Sequence, residues 1–131
     1  MNRSTRRYVG WVLGVAGLLM AAHGGLCVAG RILFPFDQRR FDAAVWQVHQ
    51  QDTDPDNPRG PMVGDLSRRY LRRGQTRARV LALLGPPNDD ATASEVNYTL
   101  GMWSGWRIDY DLLELTFDAH GRLVSWHHWQ S

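Results

Sequence analysis

The feature that most constrains this chain is an uncharged stretch near its start. Tyr8 to Gly30 contains no Asp, Glu, Lys or Arg, and Arg3, Arg6 and Arg7 precede it. As a helix at about 1.5 Å per residue the stretch reaches about 35 Å, enough to cross a hydrocarbon core of about 30 Å. Arginines ahead of such a segment favour retaining the N-terminus in the cytoplasm, so the remainder is expected on the far side of the membrane. Three readings share that topology. Residues 8–30 serve as a signal anchor, as a cleaved signal peptide with Val28-Ala29-Gly30 before the cut, or as a lipoprotein signal using Cys27. The residue before Cys27 is Leu26, where a lipobox has a small residue. Residues 1–30 are therefore expected to lie outside the folded domain.

Removing that tip changes the charge balance. Three of the 15 basic residues belong to it, which leaves twelve arginines against 13 acidic residues. A near-neutral remainder gives no electrostatic footprint for nucleic acid. Cys27 is the single cysteine, so the exported part has neither a disulfide nor a thiolate metal site.

Residues 31–60 read as a juxtamembrane helix followed by a linker. Phe41, Ala44, Val45 and Val48 recur at helical spacing. Asp52-Thr53-Asp54-Pro55-Asp56-Asn57-Pro58-Arg59-Gly60-Pro61 then has the composition of a surface loop. Residues 61–131 read as the compact domain. Met62, Val63, Leu66 and Tyr70 fall on one helix face, and Gly74 stops that helix. Thr76 caps a second helix from Arg77 to Leu84, closed by Gly85-Pro86-Pro87. Val96, Tyr98 and Leu100 alternate as a half-buried strand. Trp106, Ile108 and Tyr110 alternate too, and the phase slips by one before Leu113, Leu115 and Phe117, which calls for a bulge near Asp111-Leu112. Asp118-Ala119-His120-Gly121 turns into a last strand, Arg122 to Trp129. The expected fold is α+β: an N-terminal transmembrane or signal helix, then two helices packed on an antiparallel three-stranded meander, with one sheet face left open.

Two blocks carry a resemblance. Gly74-Gln75-Thr76-Arg77-Ala78-Arg79-Val80-Leu81-Ala82-Leu83-Leu84-Gly85-Pro86-Pro87, and the run from Asn97-Tyr98 through Leu113-Glu114-Leu115-Thr116-Phe117-Asp118 to Gly121-Arg122-Leu123, resemble the SmpA/OmlA (BamE-like) envelope domains in order and spacing. The likeness covers about Met62 to Trp129. It implies an α-α-β-β-β fold in the bacterial envelope that acts by binding proteins, as accessory domains of outer-membrane assembly do. The fold is shared with β-lactamase-inhibitory proteins.

His127 and His128 are neighbours on a strand and point to opposite faces, so they do not share a metal ion. Asp109 and Asp111 share one strand face without an evident cleft. Asp52, Asp54 and Asp56 open like a calcium loop, but Pro55 and Pro58 interrupt it and no glutamate follows at the twelfth place. No nucleophile elbow or phosphate loop is present. No catalytic residue, cofactor or metal is therefore expected. Arg68, Arg69, Arg72 and Arg73 form a basic helix patch suited to anionic headgroups or an acidic partner. Trp103, Trp106, Trp126 and Trp129 are the candidate protein contacts, because tryptophan concentrates at interface hot spots. Either Trp129 or Trp103 is expected at least half exposed. The expected function is a non-catalytic, membrane-tethered periplasmic binding or scaffold module with an envelope protein as partner. The alternative is an inhibitor or immunity-type protein whose Trp103 loop occludes an enzyme's active site.

Overall fold

A computed structural model describes residues 34–131. The anticipated membrane or signal segment, with Cys27, lies outside them. Among the described residues no helix is long and apolar enough to cross a membrane.

Pro35–Ser131 forms one compact α+β unit. Its elements are α1 (Ala43–Val48), a 3-10 turn (Gly60–Met62), α2 (Val63–Arg69), α3 (Arg77–Leu84), and strands β1 (Glu95–Gly101), β2 (Asp111–Phe117) and β3 (Leu123–Gln130). The strands form an antiparallel sheet in the order β1-β2-β3. Thus the two helices followed by a three-stranded meander are present, and the helix expected just outside the membrane is α1, which belongs to the same compact unit through the buried Trp46 and not to a separate segment ending at residue 60.

Local chemistry accounts for most boundaries. The Asp42 carboxylate accepts from the Ala44 and Val45 amides and starts α1. The Thr76 hydroxyl accepts from the Arg79 amide and starts α3. Gly85, at φ 75°, ends α3 with its amide bonded to the Leu81 carbonyl. Three details differ from the sequence reading. Of the stripe Phe41, Ala44, Val45 and Val48, Phe41 is buried and Val45 packs against the core, but Ala44 and Val48 are exposed and Trp46 is the residue fully buried. The helix expected to run to Gly74 ends at Arg69, so Leu71 enters the core while Tyr70 stays partly exposed against the Phe41 ring. Residues 106–110 are not a strand.

The core joins the helices to one face of the sheet. Trp46, Met62, Leu66, Leu71, Val80 and Leu84 meet Val96, Tyr98, Leu100, Leu113, Leu115, Phe117 and Leu123. Leu123 and Trp126 both pack on this side, although residues three apart cannot share a face of a regular strand. The register explains it. Phe117 pairs with Leu123 and Thr116 with Ser125, so Val124 is an extra residue that resets the phase. A second shift lies between Thr99 and Gly101, opposite the place where a bulge was expected, and it falls on β1 rather than β2.

Candidate functional site: the tryptophan loop and the open sheet face

Residues 102–110 form a loop between β1 and β2 whose base is tightly held. Asp111 is fully buried, and its carboxylate accepts from the Trp103 amide at 2.6 Å, the Ser104 amide at 2.8 Å and the Ser104 hydroxyl. A carboxylate that collects several donors folds the chain back on itself, and these bonds replace the strand pairing that 106–110 lacks. Gly105 sits at φ 55° inside a turn closed by the Arg107 amide and the Ser104 carbonyl.

Arg107 is at φ 56°, in the left-handed region that costs a side-chain-bearing residue on the order of 1–2 kcal/mol. Its guanidinium holds it there. Nε donates to the Met102 carbonyl at 2.8 Å, Nη2 meets Asp56 at 2.5 Å, and the group lies 5.8 Å from the centre of the Trp103 ring.

The Pro/Asp-rich stretch, expected to be a surface linker, is the wall behind this loop. Asn57 and Arg59 are fully buried. The Trp103 indole donates to the Asn57 carbonyl, the Met102 amide to Pro55, and the Tyr110 hydroxyl to Thr53. Gly60 is required here, because a Cβ on it would lie 2.2 Å from the Trp103 ring. From the opposite side the Gln130 amide reaches the Asp109 carbonyl, and Ser131 bonds to the Tyr110 carbonyl.

The four tryptophans therefore have different settings. Trp103 turns inward and is only partly exposed, so it is not a protruding element. Trp126 packs against the core. Trp129 is 39% exposed, short of the half anticipated for it or for Trp103. Trp106 is the protruding one, 91% exposed, with Ile108 beside it at 70%. Alternation at 106–110 mimics a half-buried strand, so the exposure of Trp106 is not visible in the sequence pattern.

The face of the sheet away from the helices has its own pattern. The register aligns Thr99, Leu112 and Trp129 in one row, Asn97, Glu114 and His127 in the next, and Glu95, Thr116 and Ser125 in a third. His127 lies 3.4 Å from Glu114. The loop at 88–92 covers the β1 side: Asn88 donates to Thr99, and Asn97 to Asp90. The β2–β3 side carries Trp129 and His127, both exposed.

The basic patch is largely engaged within the domain. Arg68 makes two bonds to Asp37, at 2.8 and 2.5 Å, and this guanidinium holds the Asp37 carboxyl below the usual carboxylate range. Arg69 pairs with Asp65, whose other oxygen accepts from the Phe41 amide. Arg72 caps the Arg68 and Leu71 carbonyls. Arg73 is exposed.

Among the described residues no group of three or more His, Cys, Asp or Glu is placed to hold a metal ion. His120 lies exposed in the β2–β3 turn, and the His128 ring packs at 4.3 Å on Phe36. Asp109 and Asp111 do not share a strand face, because Asp109 is an exposed loop residue. No family model and no curated protein matches the chain.

Proposed function

We propose that this chain is a membrane-tethered bacterial envelope protein that binds another envelope protein through the open face of its sheet and performs no reaction of its own. The observation that carries the reading is that β2–β3 face. Trp129 and Leu112 form an apolar row beside the Glu114–His127 pair, and among the described residues no helix is part of that face. A partly desolvated tryptophan flanked by hydrogen-bonding side chains is the composition of an interface centre. The uncharged run at 8–30 supports the tether, and the two blocks within 74–123 that resemble SmpA/OmlA domains support the envelope setting.

Crosslinking in intact cells tests both halves. A photoreactive residue at Ser125 should capture a discrete envelope protein, and Trp129→Ala should abolish that capture. Because Trp129 is already 39% exposed, its truncation should cost about 1–2 kcal/mol, well below the roughly 3–5 kcal/mol of a buried tryptophan. Undiminished capture by a folded Trp129→Ala protein overturns the interface. A reporter enzyme fused after Ser131 that works only in the cytosol overturns the topology.

A further inference from the structure

The Trp106 turn and the point where the chain enters the domain lie at one end of the molecule. Phe36, the second residue of the compact unit, stacks on His128 with ring centres 4.3 Å apart. Two residues further along β3, about 7 Å at strand spacing, is Gln130. Its side-chain amide lies 3.0 Å from the Cβ position of Gly105 and donates to the Asp109 carbonyl. Trp106 and Ile108 fall in sequence between Gly105 and Asp109, the two positions that Gln130 touches.

The loop is also built to present these side chains. Every hydrogen bond that pins residues 102–111 is made by the backbone or by Asp111, Arg107, Trp103, Ser104 and Tyr110, so Trp106 and Ile108 are left pointing outward. Strain at Arg107, held by Asp56, indicates that this presentation is over-determined by its surroundings. An exposed tryptophan with an adjacent branched aliphatic side chain suits the boundary between headgroups and acyl chains, where an indole satisfies its ring and its N–H together.

Chain length selects the bilayer over other occupants. Five residue steps separate Gly30 from Pro35, at most about 18 Å of extended chain. On the tether reading above, upon which this inference rests, Pro35 is confined close to the membrane surface. Arg39 and Arg40 are exposed on the same entry segment, while Asp37 beside them is neutralised by Arg68. Arg39 and Arg40 therefore present positive charge to anionic headgroups on the entry segment, while the exposed carboxylates of Asp42 and Asp109 oppose them, so charge by itself does not select the bilayer.

We propose that the Trp106–Ile108 turn inserts into the lipid interface, so that the domain lies against the bilayer at this end while its open sheet face stays free for a protein partner. The test uses the full chain with Cys27→Ser, reconstituted into phosphatidylethanolamine–phosphatidylglycerol vesicles. A nitroxide is placed by Trp106→Cys or Ile108→Cys, with Ala119→Cys in the β2–β3 turn as reference. Both loop substitutions fall on exposed side chains, and the second retains Trp106. The expected result is that oxygen relaxes the loop labels several-fold more than an aqueous nickel chelate does, with the reverse at 119. Loop labels as open to nickel as residue 119, on protein that sediments with the vesicles, overturn the insertion and leave the tether standing. Loop labels shielded from both reagents point to a protein covering and also overturn it. Protein that does not sediment with the vesicles removes the tether, and the inference with it.

Discussion

Arg59 carries its guanidinium into the core between the Trp46 and Tyr98 rings, 5.1 and 5.7 Å from their centres. Nε donates to the Trp46 carbonyl at 2.7 Å, but Nη1 and Nη2 have no partner, and neither does the Trp46 indole N–H. Burial pushes the Arg59 guanidinium down from its ordinary range to about 10, against the opposing influence of Tyr98 and Asp52. A displacement of that size corresponds to roughly 3 kcal/mol against the charged form, while one charge-assisted hydrogen bond returns about 2 kcal/mol. Arg59→Met keeps the volume and removes the charge, so urea unfolding at pH 7 should show a gain of about 1 kcal/mol. The pH dependence follows from the proton count. Below pH 10 Arg59 is protonated folded and unfolded. Above 10, up to the ordinary arginine range, the unfolded chain binds the extra proton, so the wild type gains stability as pH rises and the advantage of Arg59→Met shrinks. Tyr98, driven above its usual 10 by burial, acts in the opposite direction; because Arg59 opposes that rise, Arg59→Met leaves Tyr98 higher still, which narrows the variant's advantage above pH 10 in the same sense. A large loss on Arg59→Met at pH 7 would show that the lone hydrogen bond outweighs the burial.

Among elements, the loop at 102–110 depends on one carboxylate. Asp111→Asn keeps the shape but replaces an acceptor-only group with one that must turn an NH2 toward the Trp103 or Ser104 donors. The expected cost is about 3 kcal/mol by urea unfolding, together with loss of the fixed Trp106 setting in NMR spectra. If stability and spectra stay unchanged, the loop is held by its packing on residues 53–57 instead. The same loop marks where sequence reading stops. α3, its Thr76 cap, its Gly85 stop and the Asp118–Gly121 turn were legible because each depends on residues within a few positions of one another. β1, β2 and β3 were legible from alternation. The Trp106 turn was not, since its cause is a buried aspartate several residues on and a wall of backbone carbonyls about fifty residues earlier. Asn57 and Arg59 were missed for a related reason: proline and aspartate composition reports loop geometry, and a loop can be buried when its polar groups find partners, as Asn57 does with the Asp52 carbonyl and Arg59 with Trp46. Of the candidate contacts, the tryptophans were identifiable as a set, but which of them faces outward depended on the Val124 bulge and the Asp111 closure, both tertiary features.

For the whole molecule, the entry segment is fastened to α2 by a small set of bonds. The Gln38 and Arg39 amides donate to the Pro61 carbonyl, the Gly64 amide donates to Phe36, and the Asp37–Arg68 pair closes over Gly64, whose Cβ position is 2.7 Å from the Asp37 carboxylate. Both partners of that pair are about half exposed, so it is worth no more than a surface ion pair. Arg68→Ala should therefore leave global unfolding nearly unchanged while releasing the entry segment locally, speeding exchange of the Gln38, Arg39 and Gly64 amides by up to about five-fold. Acid should have the same effect on the wild type. The Arg68 hydrogen bond lowers Asp37 from its ordinary 3.8, so the pair's contribution is complete above that value and is lost as pH falls through the lower folded value. Asp118, lowered by the Arg122 and His120 amides it accepts from, gives up its contribution in the same acid window, but in the β2–β3 turn, remote in sequence from the entry segment. Amide exchange of the wild type and Arg68→Ala should accordingly differ at pH 6, after correction for intrinsic rates, and converge at residues 38, 39 and 64 well below pH 3.8. Equal exchange at pH 6 would mean that the Pro61 and Phe36 carbonyl bonds alone hold the segment. A domain docked at its entry end needs that segment rigid, so this pair would then play no part in fixing the domain's orientation.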